Sequence, residues 1–316
     1  MFSKRENGTP VKKTDVNDMS EQANYLVSKL KQSNDITAVL YRENTTGLVL
    51  AYHLFTNDIP FYFLKEKVEG FTASSYKKVI SFLKIVNDPK DYKSFEDIYS
   101  AIHPNIFLKA YKYVCNEIKS KNSNDVFQCL RNFVDENPFY DNANVKHSIN
   151  KAIETVSKAK KSKIYGAIEV VCKYLIKDEF QQKKVFNILC AIADPEDTIP
   201  MFLNRISMIE SIVKQKNDEE EKKGSALSSI HAAKGLEFNT VYLADVYDKV
   251  CPRVLSNEDH KLYEEERRIL YVGMTRAKDK LEFINALDKN SEFIEEIING
   301  KRKPRVFRAT SQQLKN

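Results

Sequence analysis

The feature that most constrains the fold is a change in hydrophobic period that occurs twice along the 316-residue chain. From about residue 72 to residue 218, apolar residues recur at every third or fourth position, and no stretch alternates with a period of two. On either side, short β-branched and aromatic runs alternate with helical patterns. The pattern therefore predicts an α/β domain that is interrupted by an all-helical segment.

Turn signals divide the helical segment into about eight helices. Each signal is a proline that follows a polar residue, a combination that favours a chain break: Asn87-Asp88-Pro89, His103-Pro104, Asn137-Pro138 and Asp194-Pro195. Because strand patterns occur both before and after this segment, we expect one discontinuous sheet domain, residues 1–68 with 221–316. Residues 69–220 are expected to form the inserted helical domain.

The start of the chain and three charged tracts are predicted to be irregular. Residues 1–19 are expected to be a loosely held lead-in, before a helix over 21–32 and a strand, helix and strand that end at Phe63. The basic tract 158–163 is either a solvated turn between helices, which we favour, or a contact for duplex DNA phosphates. Residues 217–223 are predicted to be a flexible connector, and Lys301–Arg305 with Arg308 a basic tail.

Composition excludes several classes of protein. The net charge of +6 and the pI near 8.8 permit a polyanionic partner without requiring one. The five cysteines are scattered and form no Cys-x-x-Cys motif, so we expect reduced, mostly buried thiols and a cytoplasmic location. No apolar run approaches the roughly 18 residues of a membrane span, so no membrane partner is expected. We assign no metal-ligating residue.

Two long motifs contain the candidate functional residues. The first, Ile230-His-Ala-Ala-Lys-Gly-Leu-Glu-Phe238, lies between residues 225–230 and 240–244, which are both predicted to be buried strands. Lys234-Gly235 marks a bend where side chains can converge on a ligand. Polar residues at the ends of these strands are expected at the crevice where open α/β sheets bind their ligands, outside the carboxyl ends of the strands.

The second motif, Glu264-Glu-Glu-Arg-Arg-Ile-Leu-Tyr-Val-Gly-Met-Thr-Arg-Ala-Lys278, is predicted to lie on a helix over 264–280, before a strand over 281–284. Its apolar face is assigned to Leu262, Ile269, Leu270, Val272 and Met274, and its polar face to Glu265, Arg267, Arg268 and Lys278. Arg276 falls near the helix end, and a guanidinium there suits a phosphate because it stays charged and donates two hydrogen bonds in parallel. Taken singly, such residues are usually surface groups.

In order and spacing, the two motifs together resemble the last two signature motifs of the UvrD/Rep-like superfamily-one DNA helicases. Ile36–Asn44 and Ile59-Pro60-Phe61 are similar to the opening of the second RecA-like domain in that family, and Ser291–Ile298 to its closing helix. Thr45-Thr46-Gly47 departs from the Gln-Ser-Arg that the family often has. The resemblance implies a RecA-like parallel sheet of the P-loop NTPase type, interrupted by a mobile helical insertion.

The resemblance also implies roles for individual residues. Arg276 would reach the γ-phosphate of ATP and stabilise charge in the transition state. Glu237 would bind the ribose, and Arg42 would belong to the same nucleotide-binding set. Lys234 would lie between the nucleotide and DNA sites and help to couple them.

On the DNA side, the resemblance implies that His231 and Ser229 face single-stranded DNA. The implied partners are single strands and junctions of single-stranded with duplex DNA, bound mainly through the backbone. The implied activity is ATP-dependent movement in the 3′-to-5′ direction, with ATP and Mg²⁺ as cofactors, in a pathway such as DNA repair.

One signature of ATP-hydrolysing enzymes is absent from the sequence. The chain has only 8 glycines, and none forms the phosphate loop G-x-x-x-x-G-K-[ST]. We therefore expect the C-terminal portion of a helicase, inactive alone, whose N-terminal RecA-like half binds most of the ATP and Mg²⁺. The alternative is a stand-alone, non-catalytic helicase-like module that binds DNA or a protein. A recombination helicase–nuclease subunit is less favoured, because no nuclease-like sequence follows residue 300.

Overall fold

The computed structural model describes residues 9–33, 35–64, 68–106, 108–138, 142–255, 258–286 and 291–299. The chain divides into two compact units, of which the first comprises Met1–Val68 with Lys216–Asn316 and the second Glu69–Gln215. The first unit contains a parallel sheet and the second is helical. The predicted α/β fold class with helical content is confirmed.

The first unit is built on a six-stranded, all-parallel sheet. Its strands are β1 (Lys12–Val16), β2 (Thr37–Tyr41), β3 (Phe61–Phe63), β4 (Ser225–Ser229), β5 (Phe238–Ala244) and β6 (Ala277–Ala286). The strand order is β1-β6-β5-β2-β4-β3. Strand β2 therefore lies between β5 and β4, which both follow the helical unit in the chain. Neither chain segment can form this sheet alone.

Twelve helices are present within the described part of the chain. They are α1 (Met19–Lys31), α2 (Asn44–Thr56), α3 (Ser74–Asn87), α4 (Tyr92–Ile102), α5 (Leu108–Lys119), α6 (Val126–Glu136), α7 (Ala143–Lys161), α8 (Ile164–Leu175), α9 (Glu179–Cys190), α10 (Ile199–Asp218), α11 (His260–Met274) and α12 (Glu292–Asn299). Eight of them, α3–α10, lie between β3 and β4, as the repeat of apolar residues predicted. The short closing helix was also predicted correctly, as α12.

The core of the sheet unit follows from the sequence of its central strands. Every residue of β2 is buried, as expected for a parallel strand that is covered on both faces. One face of the sheet packs in a continuous apolar cluster with α11 and α12, whose contributions include Ile269, Leu270 and Phe293. The second unit has an aromatic core of its own, in which Phe82 and Phe95 both pack against Phe127.

The prediction of a loosely held lead-in over residues 1–19 is wrong for its described part. Residues 12–16 form β1, which pairs in parallel with β6, and α1 already begins at Met19. The strand was missed because it contains few apolar residues. Its attachment is polar: Thr14 Oγ1 donates to the buried Glu282 of β6 at 2.7 Å, and Lys12 Nζ lies 3.3 Å from the same carboxylate.

The helix predicted over residues 264–280 has different ends. It begins at His260, where the Asp259 carboxylate accepts hydrogen bonds from two backbone N–H groups of the first turn, and it ends at Met274. Lys278 therefore lies on β6. Leu262, assigned to the apolar face, is exposed, because the buried stripe begins at Tyr263.

The charged tracts also differ from their predicted forms. Lys158, Lys160 and Lys161 lie in the last turn of α7, where lysines interact favourably with the helix dipole, so the basic tract is mostly helical. The connector predicted over 217–223 begins with the last two residues of α10. The Asn217 amide there bonds to both backbone groups of Val68, at 3.0 and 2.9 Å. The basic tail from Lys301 lies outside the described residues.

The five cysteines are free and buried, as predicted. Burial raises the pKa of Cys172 and of Cys251 to about 12, so both thiols are protonated at neutral pH. No helix in the described ranges combines the length and the apolar character that crossing a membrane would require.

Two glycines with positive φ predict different responses to a side chain. Gly224 has φ +86°, and a Cβ there would lie 1.9 Å from the Pro60 carbonyl oxygen. Gly235 has φ +89° and open space around the same position. We expect Gly235→Ala to lower the free energy of unfolding by about 1–2 kcal/mol, the cost of the left-handed conformation. Gly224→Ala should cost about 1–3 kcal/mol more, because it also creates a clash.

Urea unfolding of the two variants beside the unchanged protein measures this difference. Equal losses of stability would contradict the close contact between Gly224 and Pro60.

The buried Glu282 predicts a pH dependence of stability. Burial opposes its ionisation, but hydrogen bonds from Tyr25, Thr14 and Lys12 outweigh burial and lower the pKa below the ordinary 4.5. The ionised form thus adds stability above the unfolded pKa, and this stability is lost as the pH falls through the folded pKa. We expect Glu282→Gln to cost about 1.5–3 kcal/mol at pH 7 and less in acid.

The measurement is urea unfolding of both proteins at pH 7 and near pH 3.5. Glu221→Gln is the matched control, because that carboxylate pairs with Lys223 but is 72% exposed, and it should change stability by less than about 0.5 kcal/mol. If the loss in free energy of unfolding caused by Glu282→Gln did not vary with pH, the charge of Glu282 would not contribute to stability.

Candidate functional site

The first motif runs from the carboxyl edge of the sheet to its amino edge, and the second motif ends beside it at the amino edge. The carboxyl edge of the sheet is where β2 ends at Tyr41 and β4 ends at Ser229, which are register partners. The amino edge is where β5 and β6 begin, at Phe238 and Ala277, which are also register partners. The predicted site residues are distributed over both edges and the segment that connects them.

Ser229 and His231 lie at the carboxyl edge. Ser229 starts a tight turn: its hydroxyl accepts from Ala232 N at 3.3 Å, and its carbonyl oxygen accepts from the same N–H at 3.1 Å. The Ile230 N–H donates to the Tyr41 carbonyl oxygen at 3.0 Å, which fixes this turn to β2. His231 is exposed. The Ser229 hydroxyl thus supports the turn that presents His231 to solvent.

Residues 230–237, which we call the crossing segment, return the chain from the carboxyl edge to the amino edge in eight residues. Lys234 is exposed midway along it, and Gly235 takes the positive φ that the bend requires. Glu237 therefore lies beside the start of β5. The expectation that polar strand-end residues gather at the carboxyl crevice holds for Ser229 and is wrong for Glu237, because Glu237 immediately precedes β5 and a parallel strand begins at the opposite edge.

Arg276 lies beside the crossing segment at the amino edge. The Phe238 N–H donates to the Arg276 carbonyl oxygen at 2.9 Å. The guanidinium donates three hydrogen bonds: Nε to Val272 O at 2.9 Å, Nη1 to Leu236 O at 3.0 Å and Nη2 to Thr275 Oγ1 at 2.9 Å. All three acceptors are uncharged. Among the described residues, Arg276 has no carboxylate partner, so its positive charge is not compensated there.

Glu237 is held by a different interaction at the same edge. Its carboxylate lies 3.3 Å from Lys278 Nζ, at the start of β6, and the Glu237 side chain is 60% exposed. An exposed pair of this kind stabilises the fold by little and can exchange its partner at low cost. At the starts of β5 and β6, the exposed side chains of Glu237 and Lys278 thus lie near the partly exposed Arg276.

Arg42 follows β2 at the carboxyl edge and is not brought together with Arg276. Its Nε and Nη2 donate to the two carboxylate oxygens of Glu266 on α11, at 3.2 and 2.7 Å. Burial opposes the charge on Arg42, but Glu266 outweighs burial and raises the pKa of Arg42 further above its ordinary value. The pair is largely buried and bidentate, so it joins α11 firmly to β2.

Sequence reasoning missed Glu266, although it assigned roles to its neighbours. The three- and four-residue spacings of the motif predict pairs within the helix, such as Arg268 with Glu265, which the structure contains at 3.0 Å. Glu266 instead pairs across the fold, and a local spacing does not predict such a partner. Arg267, another motif residue, similarly binds Glu296 of α12.

A second missed group supports the carboxyl edge. Asp245, which follows β5 with φ +58°, is buried and accepts hydrogen bonds from Gln22 Nε2 at 2.8 Å and from the Thr46 hydroxyl. The Asp245 N–H donates in return to Gln22 Oε1 at 3.2 Å. Two helices are thereby fastened to the end of β5. Across the described residues, no three His, Cys, Asp or Glu side chains are placed to hold a metal ion.

The buried pair between Arg42 and Glu266 predicts a strong energetic coupling. Arg42→Ala and Glu266→Ala should each lower the free energy of unfolding by about 3 kcal/mol, because each leaves a buried charge unpaired. The double variant should lose about 1–3 kcal/mol less than the sum. Urea unfolding of the four proteins gives the coupling.

The matched control is the pair Arg268 and Glu265 on the same helix, whose side chains are 76% and 57% exposed. Its coupling should be below about 1 kcal/mol. Equal couplings for the two pairs would mean that burial does not strengthen the interaction between Arg42 and Glu266.

The UvrD-like helicase C-terminal domain family matches residues 1–288. The chain is 26% identical to the ATP-dependent DNA helicase PcrA of Bacillus subtilis, over 87% of the chain and 42% of that protein. It is 27% identical to the ATP-dependent DNA helicase Rep of Buchnera aphidicola subsp. Schizaphis graminum, over 90% of the chain and 47% of that protein.

A putative ATP-dependent DNA helicase of Bacillus subtilis, YjcD, is 27% identical over 84% of the chain and 36% of its own length. The chain thus spans less than half the length of each of these relatives. The family match extends from the first residue through β6 and so includes both motifs and the helical unit between them. The chain belongs to the UvrD-like helicase C-terminal domain family.

Proposed function

We propose that this chain acts in an ATP-dependent DNA helicase as the second RecA-like domain, residues 1–68 with 221–316, and its inserted helical domain, residues 69–220. The relatives named as ATP-dependent DNA helicases support the activity. The observation on which the proposal depends is the positive charge of Arg276 at the amino edge, which no carboxylate among the described residues pairs with, beside the exposed carboxylate of Glu237.

Arg276 is the residue to which we assign contact with the γ-phosphate of ATP. A guanidinium has five N–H donors, and three are used within the sheet unit. One donor on each terminal nitrogen is left for phosphate oxygens. Because its present acceptors are neutral, the full charge of Arg276 acts on the negative charge that develops during phosphoryl transfer.

Glu237 is assigned to the ribose of ATP. Its carboxylate accepts hydrogen bonds from hydroxyl groups, and its exposed pairing with Lys278 leaves it accessible. We do not assign Arg42 to the nucleotide, because it lies at the carboxyl edge, apart from Arg276 and Glu237, and its guanidinium is bound by Glu266.

His231 and Ser229 are assigned to single-stranded DNA at the carboxyl edge. The exposed imidazole of His231 presents ring nitrogens to the DNA, and the Ser229 hydroxyl supports the turn that holds His231 outward. Lys234, midway along the crossing segment, lies between the DNA and nucleotide residues and helps to couple them. Contacts of this kind are mainly to the backbone, so binding should weaken as salt increases.

An N-terminal RecA-like half supplies the phosphate loop and most of the contacts to ATP and Mg²⁺, where Mg²⁺ neutralises charge on the phosphates. The DNA partners are single strands and junctions with duplex DNA, with movement in the 3′-to-5′ direction. Five reduced cysteines suit a cytoplasmic location, and DNA repair is one pathway in which such an activity serves.

The test is steady-state ATP hydrolysis by the full-length gene product, with single-stranded DNA. Arg276→Ala should lower kcat by about 10³-fold or more while changing KM for ATP by only a few-fold, because the contact acts on charge formed in the transition state. Glu237→Ala should mainly raise KM, because a ribose contact is made equally in the ground and transition states.

Arg268→Ala is the matched control, since Arg268 is on α11 but is 76% exposed, and turnover should change by less than about twofold. The 316-residue chain by itself should give no turnover. If Arg276→Ala changed only KM or left kcat within a few-fold, the assigned role would be wrong. Single-stranded DNA binding without any ATP turnover by the full-length product would instead support the non-catalytic module.

A further inference from the structure

Thr275, which immediately follows α11, accepts a hydrogen bond from the guanidinium of Arg276. We infer that Thr275 is a positioning residue that orients the Arg276 guanidinium toward phosphate. The inference rests on the proposed function, because it requires that Arg276 act on ATP. It adds a role for a side chain that acts through its hydrogen bond to Arg276.

The position of Arg276 follows from the way α11 ends. The last four carbonyl groups of a helix lack partners within the helix. The Thr275 and Arg276 N–H groups bond to the carbonyl oxygens of Tyr271 and Gly273, at 3.0 and 3.2 Å. The Val272 carbonyl oxygen accepts instead from two side chains, Thr275 Oγ1 at 2.9 Å and Arg276 Nε at 2.9 Å. The negative end of the helix dipole thus holds the base of the guanidinium.

The Thr275 hydroxyl has a defined orientation. A hydroxyl has one proton to donate and two lone pairs to accept with. Because Thr275 Oγ1 donates its proton to Val272 O, its lone pairs are available to Arg276 Nη2, which donates to it at 2.9 Å. The hydroxyl is therefore an obligate acceptor toward the guanidinium.

Thr275 and the Leu236 carbonyl together fix the plane of the guanidinium. Nη1 is held by Leu236 O of the crossing segment, and Nη2 by the Thr275 hydroxyl. With Nε on Val272 O, each of the three nitrogens has one fixed bond, and rotation about the end of the side chain is blocked. Without the hydroxyl, Nη2 loses its only described acceptor, and the side chain is free to rotate away from the orientation in which its spare donors meet a phosphate.

The test compares three substitutions in the full-length gene product, with DNA-stimulated ATP hydrolysis as the readout. Thr275→Val keeps the side-chain shape and removes the hydroxyl, and we expect kcat to fall about tenfold with KM for ATP within twofold. Thr275→Ser keeps the hydroxyl and should retain kcat within about twofold of the unchanged protein. The two variants separate loss of the hydroxyl from a change in shape.

Thr56→Val is the matched control. Thr56 is the exposed last residue of α2, and its hydroxyl also donates to carbonyl oxygens three and four residues earlier, at 3.2 and 3.0 Å, but accepts from no described arginine. Its removal should leave kcat within about twofold. An equal loss of kcat in Thr275→Ser and Thr275→Val, or an equal loss in Thr56→Val, would overturn the inference.

A double-variant cycle separates positioning from folding. In the Arg276→Ala background, Thr275→Val should change kcat by less than about twofold, because the group that it orients is gone. A tenfold loss in both backgrounds would indicate a structural role and overturn the inference. If Arg276→Ala abolished turnover while Thr275→Val did not affect it, only the positioning role would fail. Full turnover in Arg276→Ala would refute the proposed function itself.

Discussion

The pairing of β2 with both β4 and β5 is the interaction on which the other features of the sheet unit depend. Its partners follow the helical unit in the chain, so the central strands form only when two distant segments meet. This pairing sets Tyr41 beside Ser229 and thereby defines the carboxyl edge. It also places Arg42 where Glu266 of α11 can reach it. The contacts of the crossing segment also depend on this sheet, which requires both chain segments.

Three arginines, one in α11, one that follows it and one that binds to it, differ in the charge of their hydrogen-bond acceptors. Arg42 and Arg267 are each bound by a carboxylate, Glu266 and Glu296, which cancels their charge and makes them structural bonds. Arg276 is bound only by uncharged oxygens among the described residues, so it is held in place and remains a cation. All three guanidinium groups are held by hydrogen bonds. They differ in whether a carboxylate neutralises the positive charge.

Much of this arrangement could be predicted from the sequence, and the misses have a common physical cause. Hydrophobic patterns predicted the sheet and the eight inserted helices, because the burial of one face of a helix or strand sets the spacing of its apolar residues, whereas α12 was predicted from the family resemblance. β1 was missed because it is held by the polar contact between Thr14 and Glu282. The partner of Arg42 was missed for the same reason, because a hydrogen bond between residues far apart in the chain produces no periodic pattern in the sequence. Glu237 lies at the amino edge because it immediately precedes the parallel strand β5, a consequence of strand direction that hydrophobic periodicity does not record.

The bond between Asn217 and Val68 has a consequence for how such a chain is assembled from modules. One amide side chain reaches both backbone groups of Val68, so the two ends of the helical unit leave the sheet unit at nearly the same point. The entropy of closing a loop between two such ends depends only weakly on the length of the loop. The entropic cost of the insertion therefore changes little with its size. On this ground a helical unit of a different length would fit at this point without requiring a change in the register of any strand.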